Sequence, residues 1–366
     1  EPRWLTRGLL TAQFTIACLA ALATALLLAN GRFLAHQPWG YDPGETFIVR
    51  LSDPAQYERL QAAAAGHASV RHAVGAQLHV GYDRTTAPVT SGLSDTHHAT
   101  HFAIGPGYTE AMGLRIVQGR SFESHDAGGD ALLITERFAA ARGWTNPIGE
   151  RLTVSGQDRV VVGVVGDVLE TPIAAPRGTV LTPTAEGYRY LVVTPHPGAA
   201  SDARAALEAA WIDLAPHQAF DAFNQTDVFD PFLSSFASLT RSIALLAALA
   251  LGIACMGLFG LATQNAVRRR REVGVRKALG ASAGHIVYAV NRSYLLMLSL
   301  AAILSTTAGL VGVGLLSGIE ELNMMPLSPL PFGLAYTAVA ATVALALAAQ
   351  SRSLTRTNPA QVLRQA

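Results

Sequence analysis

Two apolar runs of membrane-spanning length, residues 243–261 and 294–316, bracket a stretch with six cations in ten positions: Arg268, Arg269, Arg270, Arg271, Arg276 and Lys277. About 20 apolar residues are what an α-helix needs to cross a hydrocarbon core. A basic loop between two such helices stays on the cytoplasmic side. The loop itself reads as a short helix, because Glu272 and Arg276 stand at i,i+4 in the favourable order and Gly280 follows Leu279 where a helix stop belongs.

Two further apolar runs, 9–29 and 333–349, complete a set of four. Arg3 and Arg7 precede the first run. Glu320 and Glu321, with no basic residue, lie between the third and fourth. Arg352, Arg356 and Arg364 follow the fourth. Four spans with both termini in the cytoplasm, and residues 37–235 outside, satisfy the charge of every loop at once. The first run is expected to be a retained helix, since it is long for a signal peptide and is followed by a poor small-residue cleavage site. No Asp, Glu, Lys or Arg falls inside the four runs, which argues against a proton or ion path through the bilayer.

Composition agrees with a chain that is partly embedded: 50% hydrophobic and 14% charged among 366 residues. A net charge of +1, with the cations gathered at membrane edges, gives no nucleic-acid surface. Lys277 is the single lysine and is followed by Ala278. A Walker A loop needs Gly-Lys-Ser/Thr, so ATP-driven work would require a second polypeptide. Cys18 and Cys255 both lie in apolar runs, leaving the middle region without a disulfide.

Residues 37–235 read as an α+β domain. Strands are expected at 46–51, 101–104, 114–117, 131–134 and 190–194, with a hairpin at 151–154 and 159–165 around Ser155-Gly156-Gln157-Asp158. Helices are expected at 54–65 closed by Gly66, at 108–112 stopped by Gly113, at 136–142 ended by Gly143, and from Ser201 as N-cap to Leu214. Gly113, Gly119, Gly149 and Gly166 read as caps or turns.

The phrase RRRREVGVRKALGAS, from Arg268 to Ser282, resembles the cytoplasmic segment of the FtsX-like permease domain, the membrane part of MacB-type ABC transporters. Three phrases of the middle region resemble that family's extracytoplasmic domain: GPGYTEAMGLRIVQGRSF, DALLITERFAAARGWTNPIGERLTV and VVVGVVGDV. The likeness is weakest over 62–99 and 169–225. It implies a membrane protein with four transmembrane α-helices and a large α+β extracytoplasmic domain between the first and second. The expected divisions are 1–36, a periplasmic core domain at 37–235, and a permease domain at 236–366.

The resemblance also implies a non-catalytic permease subunit in the bacterial inner membrane. ATP and Mg would sit on a partner ATPase, which contacts Arg268, Arg269, Arg270, Arg271, Glu272, Val273, Gly274, Arg276, Lys277, Leu279 and Gly280. In this family ATP binding moves the extracytoplasmic domain to extrude a substrate. The alternative is an FtsX-type transmitter that regulates a cell-wall hydrolase. Two copies or two halves of the four-helix unit are expected, with a periplasmic adaptor as a further partner. The opening residues 1–34 look more like the second half of a duplicated eight-span permease than like the usual MacB start.

Small residues at i,i+4, Ala248 with Gly252 and Gly314 with Gly318, are expected to allow close helix packing in a bundle or dimer, as are Ala340, Ala344 and Ala348. His97 and His101 would share one face of a strand, with His98 and Asp95 beside them. A surface strand is favoured over a metal site there, since no carboxylate or cysteine completes a tetrahedral set at a matching spacing. Ser94, Asp95 and His98 are close in sequence, but triads are spatial arrangements and adjacency does not indicate one.

Overall fold

The computed structural model describes residues 3–83, 85–91, 95–174, 178–268, 283–318 and 322–355. The chain divides into two compact units, one of residues 1–34 and 234–366, the other of residues 35–233.

Among the described residues, the helical unit contains four helices long and apolar enough to cross a membrane, by length and composition. They are α1 (Arg3–Ala35), α6 (Asp230–Arg268), α7 (Ala283–Ser317) and α8 (Leu330–Thr355). Their shared core joins Leu10, Phe14, Ala17 and Cys18 of α1 to Ala254, Leu258 and Ala262 of α6, Tyr294 and Ala301 of α7, and Val339, Val343 and Leu347 of α8. Large apolar side chains such as Leu245, Leu249, Met256, Ile303 and Leu345 are exposed, as a helix facing lipid or another apolar surface requires.

The inserted unit lies in sequence between α1 and α6 and, among the described residues, is built on a sheet of eleven strands. One part repeats a strand-helix-strand pattern: β1 (Phe47–Arg50), α2 (Ala55–Ala65) and β2 (Val70–Ala76), then β10 (Tyr190–Pro195), α5 (Ala200–Leu214) and β11 (Ala222–Asn224). Its strands are ordered β11-β1-β10-β2 and all pair antiparallel. This is the split βαβ arrangement. Alternation along β1 and β10 serves two cores. Phe47, Val49, Leu191 and Val193 meet Leu60 of α2 and Leu207 and Trp211 of α5. Ile48, Tyr190 and Val192 face the opposite core.

The second part occupies the sequence between β2 and β10. It contains β3 (Thr86–Ser91), β4 (Asp95–Ile104), α3 (Tyr108–Ala111), β5 (Ile116–Gly119), β6 (Ala131–Thr135), α4 (Glu136–Ala141), β7 (Arg151–Val154), β8 (Gln157–Val165) and β9 (Thr179–Pro183). The pairings run β4-β3-β7-β8-β6-β9, and β9 returns to β4 in parallel register, so six strands close on themselves. All six contribute to one apolar cluster: Val89, Ala99, Ile134, Leu152, Val161 and Val180. A closed ring gathers alternate residues in this way and leaves no free edge within it. β5 adds to β8, where Gly119 pairs with Gly163. A Cβ on Gly163 would lie 2.2 Å from the carbonyl of Arg120, so the strands approach closely enough to exclude any side chain.

The expected hairpin is present, with Ser155 and Gly156 both at positive φ in the turn. The expected strands and helices over 101–143 are present with ends shifted by a few residues. Gly66 closes α2 as expected, in the right-handed conformation, its N–H reaching the carbonyl of Ala62. One helix start differs from expectation: Ser201 lies inside α5, whose N-cap is Ala199 without a side-chain bond. The sequence reading missed β2, β3, β9 and β11.

Candidate functional site

Of the expected ATPase-coupling residues, Arg268 closes α6. The rest of the set, Arg269, Arg270, Arg271, Glu272, Val273, Gly274, Arg276, Lys277, Leu279 and Gly280, lies outside the described residues. What the structure places is the pair of helices on either side. α6 ends at Arg268 and α7 starts at Ala283, so the basic segment is the direct connection between two helices of the same core.

Within this single chain the small residues of the helix-packing expectation lie on the outward side of their helices. Ala248, Gly252, Gly314 and Gly318 are all exposed. A Cβ on Gly252 or Gly314 would meet nothing within 4 Å. The reason is phase. The inward row of α6 is Thr240, Ala247, Ala254, Leu258 and Ala262, and Ala248 and Gly252 sit beside it on the outward side. Close approach falls on other glycines. A Cβ on Gly309 of α7 would stand 2.6 Å from Leu22 of α1, and one on Gly257 of α6 would stand 3.1 Å from Gln13 of α1. Polar contacts add to this packing. The Tyr336 hydroxyl of α8 lies 3.0 Å from Ser305 Oγ and 2.7 Å from Thr306 Oγ1 of α7. The backbone N–H of Met325 donates to Asn30 Oδ1 at the end of α1.

In the inserted unit the histidines expected on a surface strand lie on β4. Among the described residues no group of three His, Cys, Asp or Glu could hold an ion. His97 and His98 are exposed and paired in register with Val89 and Pro88. His101 is half-buried against Thr182 at 2.8 Å, and burial lowers its pKa. Asp95 pairs by backbone with Ser91, and Ser94 lies outside the described residues.

Residues of the quoted phrases have structural roles. Arg120 donates to both oxygens of Asp126, at 2.5 and 3.0 Å, and also to the carbonyl of Ser121. The Arg120 guanidinium holds the Asp126 carboxyl down at about 2. Asp126 also accepts from the Glu123 N–H, closing a capping box on a short 3-10 turn. Tyr108 is fully buried, and burial pushes its pKa up.

The most buried polar assembly was not legible in the sequence. His79, wholly buried, has Nε2 2.7 Å from Gln225 Oε1 and Nδ1 3.0 Å from the Tyr108 hydroxyl. The Gln225 oxygen can only accept, so Nε2 carries the proton and Tyr108 donates to Nδ1. The Tyr108 oxygen accepts from the Val80 N–H, and Gln225 Nε2 donates to the Tyr41 hydroxyl and the Val80 carbonyl. Every polar atom in this group is thus engaged, with His79 held neutral by burial.

Comparison with known proteins agrees with these two units. Residues 37–210 match the MacB-like periplasmic core domain, and residues 244–359 match the FtsX-like permease C-terminal domain. The uncharacterized ABC transporter permease YknZ of Bacillus subtilis is 24% identical over 257 residues, 64% of this chain and 62% of that one. The macrolide export ATP-binding/permease protein MacB of Burkholderia cenocepacia is 28% identical over 244 residues, 62% of this chain and 34% of that one. The chain therefore spans less than two thirds of the length of these relatives. The periplasmic region of MacB from Actinobacillus actinomycetemcomitans superposes at a TM-score of 0.40 with 14% identity, over 54% of this chain and 95% of that one.

Proposed function

We propose that the chain, whose residues 37–210 and 244–359 match the MacB-like periplasmic core domain and the FtsX-like permease C-terminal domain, is a permease of that ABC transporter type and converts ATP-driven closure of a partner ATPase into movement of the inserted unit. The partner is a separate chain carrying the ATP and Mg. Its contact is the segment from Arg268 to Gly280. The inserted unit lies outside the cytoplasm and both termini lie inside, as the charge of each loop requires. The permease works as a pair, either two copies or two halves of a longer chain, and the movement expels a substrate from the outer side of the membrane. The printed name of the Burkholderia relative, an export protein, supports extrusion over signalling.

The observation that carries this reading is the position of the basic segment. It joins α6 to α7, inside the matched permease domain. Arginines of that segment would pair with carboxylates of a docking groove, with Val273 and Leu279 as its apolar contacts. Force applied there enters two helices of one packed core.

The test is co-purification and ATP hydrolysis. The purified chain alone is expected to hydrolyse no ATP above background, and the ATPase captured with it supplies the activity. Glu272→Arg and Arg276→Glu are expected to weaken capture while leaving membrane insertion normal. Gly280→Val is expected to do more harm, because a β-branched residue narrows the backbone conformations that glycine leaves open. Unchanged capture and activity in both charge reversals would reduce the segment to a membrane anchor.

A further inference from the structure

We draw no further inference here: the strongest candidate, the surface patch of the inserted unit where the exposed Tyr82 ring stacks on Phe223 of β11 with the Arg50 guanidinium over both rings, carries nothing further because nothing in the structure shows what covers it.

Discussion

His79 and Gln225 are 146 residues apart in sequence, yet Nε2 of the one lies 2.7 Å from Oε1 of the other in the core of the inserted unit. The imidazole is neutral because burial lowers its pKa to about 4 from an ordinary 6.5, a shift only partly offset by Gln225 and Asp83.

That depression has a definite consequence for stability. In the unfolded chain the imidazole takes a proton below pH 6.5, whereas in the folded unit it does so only near pH 4. The contribution is therefore complete above pH 6.5 and is lost as pH falls through that window. Its size is about 3 kcal/mol from the linkage relation. Thermal unfolding of the whole chain, followed by tryptophan fluorescence, is expected to show the midpoint falling between pH 6.5 and 4. His79→Leu should remove this component of the pH dependence, while costing about 1–3 kcal/mol at pH 7 by stranding Gln225 Oε1 and the Tyr108 hydroxyl. Identical pH profiles for the two proteins would contradict the neutral, buried assignment.

The close approach of β5 and β8 gives a second expectation. An added Cβ at Gly163 would meet the Arg120 carbonyl at 2.2 Å and Leu133 Cδ2 at 2.8 Å, whereas one at Gly128 or Gly143 would meet nothing within 4 Å. Gly163→Ala should destabilise the unit by about 2 kcal/mol or more, since the backbone must shift to relieve the overlap. Urea unfolding compared with the parent chain measures the difference, and a change below about 0.5 kcal/mol would contradict the observed register of Gly119 against Gly163.

In the helical unit, Tyr336 joins α8 to α7 through Ser305 and Thr306. Interhelical hydrogen bonds in lipid average about 0.6 kcal/mol each. Tyr336→Phe keeps the ring and removes both bonds, so a loss of about 1 kcal/mol is expected in unfolding of the purified protein in detergent. A neutral substitution would mean that the hydroxyl contributes nothing to holding the two helices.

What the sequence made legible follows from local signals. Continuous apolar runs, such as 131–134, and glycines after short amphipathic stretches, such as Gly113 and Gly143, mark elements by their own composition. The missed strands lack such signals. β3 reads Thr-Ala-Pro-Val-Thr-Ser, with exposed Thr86 and Pro88, and β11 is three residues long. Both exist because neighbours pair with them, a tertiary effect that propensity does not contain. The closure of six strands depends on β9 returning to β4 in parallel, across about 80 residues, and nothing local announces it. The same holds for the buried polar assembly, whose members Tyr41, His79, Tyr108 and Gln225 come from four separate segments. Small-residue spacing at Ala248 and Gly252 does not mark the contacts within this chain, for a related reason. Spacing gives the period of a face but not its phase, and the contacts formed at Ala254 and Gly257 instead.

The account as a whole depends on which side of the membrane each connection occupies. In a chain freed of Cys18 and Cys255, single cysteines are placed at Gln157, Glu320, Ser282 and Thr357 and treated with a membrane-impermeant thiol reagent on intact cells. Gln157→Cys and Glu320→Cys are expected to react from outside, and Ser282→Cys and Thr357→Cys only after permeabilisation. Reaction of Ser282→Cys from outside intact cells would contradict the cytoplasmic basic segment, and with it the docking of any ATPase there.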